Sequence, residues 1–138
     1  MPASDEFAEG YAVAVAAESL YLVNLLLLPG VGFVLLLILW WRGRGHAPPL
    51  AAAHLAQTVS ASLWAGVLLV IANALILFFG GYDGPNVWVV VITYFTFAHS
   101  LLVVLGALGL ARAMAGQCWR FPLVGRPLPD GCTPVARQ

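Results

Sequence analysis

The stretch that most constrains this chain is Ala51 to Phe79, AAAHLAQTVSASLWAGVLLVIANALILFF, which carries no Asp, Glu, Lys or Arg. A helical bilayer crossing needs roughly 20 apolar residues at about 1.5 Å each, and this run exceeds that. Its polar residues are not scattered. At 100° per residue, His54, Thr58, Ser62, Gly66 and Asn73 fall within one third of the helix circumference, with Gln57 beside them. The opposite face is Leu, Val, Ile and Ala. Lipid tails tolerate that face and penalise unpaired polar groups, so the polar and small stripe should face protein or a wet cavity.

Composition removes the soluble alternative. Of the 138 residues, 62% are hydrophobic and 9% charged, whereas a soluble domain carries about 25% charged residues; mean hydropathy is +0.92. With no Lys, six Arg and no basic run, nucleic-acid binding is excluded. The chain reads as an all-α integral membrane protein with three transmembrane helices at about residues 20–41, 51–79 and 87–113. Residues 1–19 form an acidic N-terminal segment, with 8–19 an interfacial or helical lead-in. Residues 116–138 form a tail too rich in Pro for another helix. The opening MPASDEFAEG lacks the positive n-region of a cleavable signal. Glu18, Asn24 and Pro29-Gly30 interrupt the first apolar run. Pro29 is expected to kink one span there; two short segments forming a hairpin is the alternative.

Arginine placement predicts orientation. With three spans, the loop holding Arg42 and Arg44 shares a side with Arg112, Arg120, Arg126 and Arg137, so all six positive charges lie on one side. Positive-inside bias makes that side cytoplasmic, with the N-terminus and Asp83 outside, in a bacterial inner membrane. Trp40, Trp41, Trp119 and Phe121 are expected at the interface, where amphipathic rings settle, with Arg120 and Arg126 on anionic headgroups.

Few residues suggest chemistry. His54 and His99 lie within spans, where ionisable groups raise a functional hypothesis, here haem b ligation or quinone binding. They differ in depth by roughly 15 Å at 1.5 Å per residue, which excludes one haem between them within a single chain. The simpler expectation is structural. His54 meets water, a headgroup or loop backbone, and the arc Thr93, Thr96, His99 and Ser100 hydrogen-bonds to the stripe on the second span. Gly66, Gly106 and Gly109 allow close helix approach, as do Ala107, Ala111 and Ala115. Glu18 is expected to reach headgroup water rather than act in a proton relay. Cys118 and Cys132 read as free thiols in a reducing compartment, since their spacing is not that of a metal site. No nucleophile–base pair, phosphate loop or metal cluster is present.

At His54-Leu-Ala-Gln57 and GLARAMAGQCWRFPLVGRP (Gly109 to Pro127) the chain resembles small helical membrane proteins of unknown function. These are related to the central channel-like subunit of the chloroplast inner-envelope import translocon. In that family a His followed by Gln opens the middle helix. An Ala-rich turn, a Gly and an aromatic-Arg-aromatic-Pro motif close the last. The matching positions are His54, Gln57, Ala113, Gly116, Trp119, Arg120, Phe121, Pro122 and Arg126. The likeness spans about residues 20–128 and implies a helical membrane fold with no agreed activity. A non-catalytic subunit or assembly factor of a larger membrane complex, or a homo-oligomer, is the leading expectation. An electron-transfer subunit holding haem b or quinone is second, and a small channel third.

Overall fold

The computed structural model describes the backbone of residues 2–132 and the side chains of residues 10–132; the side chains of Asp5, Glu6 and Glu9, and Arg137, lie outside the described residues. Within them the chain is all-helical: α1 spans Pro2–Leu26, α2 Val31–Gly43, α3 Pro49–Phe78 and α4 Val87–Met114. Among the described residues, only α3 and α4 are both long and apolar enough to cross a membrane by length and composition.

The single first span expected at 20–41 is instead two helices that turn back on each other. Pro29 has no N–H to donate and its ring clashes with the preceding turn, so α1 ends before it. Gly30 takes φ +87°, a conformation costly for any residue with a Cβ. Asn24 Oδ1 accepts the Gly30 N–H at 2.8 Å, fixing the return. Gly32 then lets the two helices touch, since a Cβ there would lie 2.7 Å from the Asn24 backbone nitrogen. The hairpin alternative is the one realised, and the lead-in at 8–19 takes its helical form within α1, which begins at Pro2.

α1 lies between α3 and the second half of α4. Gly10 packs beside Pro48 and Leu50, Ala14 joins Leu50 and Ala113, and Tyr21 joins Ala61 and Leu105. α1 therefore runs parallel to α3 and antiparallel to α4. Both feet of the hairpin stand at the end of the bundle that bears Arg42 and Arg44. Its tip, Leu26 to Leu28, is exposed about midway along α3.

Pro48 and Pro49 start α3, with Pro49 in the first turn where no N–H is needed. The helix ends on Gly80 and Gly81, both at positive φ, where the Gly81 N–H returns to the Ile76 carbonyl at 2.9 Å. Tyr82 donates to Asn73 Oδ1 at 2.7 Å and ties the turn down. α4 contains a π-helical segment, Tyr94–His99, and closes at Gly116 (φ +68°). Beyond it, residues 117–132 form an extended strap that folds back over the arginine end.

Gly32→Val should force α1 and α2 apart and destabilise the fold by about 1–3 kcal/mol. The midpoint of detergent-denaturant unfolding would fall; an unchanged midpoint would contradict the hairpin crossing.

Candidate functional site: a buried Glu–His pair under a strap

α1, α3 and the strap meet at His54. Its Nδ1 lies 2.6 Å from Glu18 Oε1, and its Nε2 lies 2.9 Å from the Gln117 carbonyl oxygen. Both side chains of the pair are fully buried. A carbonyl only accepts, so Nε2 must carry a hydrogen. Nδ1 then either donates to a Glu18 carboxylate or accepts from a Glu18 carboxylic acid. Either way one proton is shared between the two side chains, and the pair is neutral overall. Neutrality is what makes so deep a pair tolerable, because an uncompensated buried charge is far more costly.

Two glycines on α4 make room for the α1 side chains. A Cβ at Gly109 would sit 2.5 to 2.7 Å from the Glu18 carboxyl atoms, and one at Gly106 would sit 2.7 Å from the Tyr21 ring. One turn along from Glu18, Tyr21 donates to the Leu102 carbonyl at 3.0 Å. Thr58 caps the other side of the site, its hydroxyl 2.8 Å from the His54 carbonyl. Glu18 Oε2 and Ser62 Oγ are buried without a hydrogen-bond partner among the described residues.

The strap is held by α3. Gln57 Oε1 accepts the N–H groups of Phe121 (3.3 Å) and Arg126 (3.0 Å), while its Nε2 donates to the Arg126 carbonyl at 2.8 Å. Ser60 donates to the Val124 carbonyl at 2.7 Å. Phe121 wedges into the core 5.8 Å from Tyr21 and 5.2 Å from Trp119. A Cβ on Gly125 would collide with the Phe121 carbonyl and Gln57 Oε1. Cys118 and Cys132 are joined as a disulfide, with Cα atoms 5.8 Å apart.

Several expectations are corrected by this arrangement. Glu18 does not reach headgroup water but is sealed against His54, because the hairpin carries it between α3 and α4. Cys118 and Cys132 are paired rather than free, because the strap's return brings them together. Phe121 is a core wedge rather than an interface anchor, and Trp119 packs half-buried on it. Arg120 and Arg126 are exposed, as is Trp41; Trp40 is half-buried under Arg44. His54 bonds Glu18 on α1 and Thr58 bonds its own helix, and neither they nor Ser62 hydrogen-bonds to the arc on α4.

That arc stands apart. Gly109 faces Glu18, so His99, ten residues earlier on α4, stands roughly 15 Å away along the helix. The two histidines are not brought together. His99 is half-buried with its ring 5.0 Å from Phe95, while Thr96 and Ser100 are exposed. Ser100 donates to the Phe95 carbonyl that the π-helical segment leaves within reach, at 2.7 Å. Asn73 is engaged with Leu69 and Tyr82. Gly66 is exposed, with nothing within 4 Å of where a Cβ would stand.

Sequence reasoning missed Tyr21, Ser60, Gln117 and Gly125. Tyr21 had a signal, lying three residues after Glu18 on the same face of α1. The strap residues had none, since an irregular segment has no periodicity. Comparison with known proteins found no matching family model, curated protein or solved structure.

His54→Leu should destabilise the protein by about 3–5 kcal/mol by stranding Glu18, whereas the double variant with Glu18→Leu should recover much of that loss. A double-mutant cycle on unfolding midpoints checks this; additive effects would contradict the pair.

Proposed function

We propose that the chain is a small, non-catalytic membrane subunit or assembly factor of a larger membrane protein complex. One observation carries the reading: the polar groups are distributed unequally along α3 and α4. In the half under the strap, both ring nitrogens of His54 and the side-chain amide of Gln57 are engaged within the chain. His54 therefore has no open nitrogen for a ligand. In the other half, residues 87–100 of α4 bury nothing. Gly66 on α3 and Thr93, Thr96 and Ser100 on α4 lie bare among exposed Leu, Val, Ile and Phe. Small and hydroxyl side chains at bilayer depth are the usual means by which a second membrane helix packs closely.

The reading places the protein in a bacterial cytoplasmic membrane, with α3 and α4 crossing it. The α1–α2 hairpin enters from the arginine end and turns back inside the hydrocarbon, where its Leu26–Leu28 tip meets lipid. Residue 10 and the strap then share the arginine side, in place of the outside N-terminus that a third crossing required. That side is cytoplasmic by positive-inside bias. The Cys118–Cys132 pair lies there too. Strap packing makes the two residues neighbours and they are joined as a disulfide, a bond typical of oxidising compartments that counts against this orientation.

A second reading, a subunit holding haem b or quinone with a partner, rests on His99, whose imidazole has no hydrogen-bond partner among the described residues. A reduced-minus-oxidised absorption spectrum of the purified protein separates the two, because haem b gives a sharp band.

Tagged purification in mild detergent tests the leading reading. Stoichiometric membrane partners should appear, and Gly66→Leu should remove them while leaving the unfolding midpoint unchanged, since no neighbouring atom opposes the new side chain. Gly106→Leu is unsuitable for this purpose because it strikes Tyr21 within the same chain. Unchanged co-purification of Gly66→Leu would overturn the assignment of that face.

A further inference from the structure

Where α2 hands over to α3, the chain leaves a half-open cleft that the buried pair does not use. It has a volume of about 430 Å³, and its lining includes Trp40, Arg44, Ala47, Ala52 and Leu55. That volume lies in the range of small-ligand pockets. Gly43 and Gly45, the latter at φ +78°, keep its wall free of side chains.

Its chemistry is two-sided. Ala47, Ala52, Leu55 and the Trp40 ring give an apolar interior continuous with the α2–α3 contact. Arg44 stands at the mouth, its guanidinium carbon 4.8 Å over the Trp40 ring. Stacking on an aromatic face fixes the guanidinium plane and leaves its edge N–H groups pointing outward. Arg44 makes no ion pair with any described carboxylate. Arg42 and His46 are exposed on either side of it, and His46 Nδ1 is bound to the Arg44 carbonyl at 3.0 Å. Between Glu18 and Asp83 the sequence contains no acidic residue at all. No acidic residue of α2, the loop or α3 therefore offsets the positive charge at this mouth.

We infer that this cleft is a binding site for one glycerophospholipid with an anionic headgroup. The phosphate sits against Arg44, and the upper part of an acyl chain lies along Ala47 and Ala52. An apolar cleft with a single fixed cation at a membrane surface matches the amphiphilic shape and charge of such a lipid. A free phosphate would leave the apolar walls empty. A zwitterionic choline headgroup would bring its own cation toward Arg44 and Arg42. A lipid held there would also brace the loop that joins the hairpin to α3. The inference rests on the proposed position of the arginine end at a bilayer surface.

The test is native mass spectrometry of the full chain released from mixed micelles containing equal amounts of dioleoyl-phosphatidylglycerol and dioleoyl-phosphatidylcholine. One phosphatidylglycerol should be retained preferentially, and excess glycerol 3-phosphate should not displace it. Arg44→Gln should reduce the preference roughly fivefold. Ala52→Leu, which fills the apolar wall and leaves Arg44 in place, should lower retention of either lipid. Equal retention of the two lipids, Arg44→Gln and Ala52→Leu both behaving like the parent, or displacement by glycerol 3-phosphate would each overturn the lipid site. A chain recovered in aqueous buffer without detergent would overturn the membrane position itself, a separable failure.

Discussion

Everything at the arginine end of this protein depends on the orientation of one imidazole ring. His54 projects from α3 and joins α1 through Glu18 and the strap through the Gln117 carbonyl. Its two nitrogens point in fixed directions, so one ring positions α1 and the strap against α3. A proton shared with Glu18 keeps the assembly neutral in a setting where a bare charge would drive it apart. The cluster is therefore a structural lock between α1, α3 and the strap.

Space for that lock is made by absence of side chains. Gly109 admits the Glu18 carboxyl group, Gly106 admits the Tyr21 ring, and Gly125 lets the strap turn over Gln57. Each glycine faces a bulky or polar group from a different element, which is how α1 approaches α4 and the strap enters the bundle. The remainder of α3 and α4 lacks such partners. One half of the described molecule is closed on itself, and the other leaves its apolar side chains exposed.

The sequence announced the apolar helices clearly, because length and hydropathy are local properties. The boundaries of α3 and α4 follow from Pro48-Pro49, Gly80-Gly81 and Gly116, which are punctuation visible in any reading. The first half of the polar stripe of α3 was also legible, since His54, Thr58 and Ser62 are buried, whereas Gly66 further along it is exposed. What faces the stripe was not. Pro29-Gly30 read equally as a kink or a turn, and only the packing of Gly32 on Asn24 decides between them. That choice moved Glu18 from a supposed headgroup contact to the buried face of His54. The strap was illegible for a different reason: its contacts run from backbone groups to Gln57, Ser60 and His54, and backbone groups leave no mark in a sequence. Cys118 and Cys132 were misread as free because their proximity is a product of that same strap.

The most direct measurement of the central claim is nitrogen NMR of the imidazoles in histidine-labelled protein in lipid nanodiscs, with His54 assigned by its absence in His54→Leu. The account predicts a His54 Nε2 that bears a hydrogen bonded to a carbonyl, protected from exchange with water, and an Nδ1 in a strong hydrogen bond to a carboxyl group that changes on Glu18→Gln. A His54 ring that exchanges freely with solvent and ignores Glu18→Gln would contradict it.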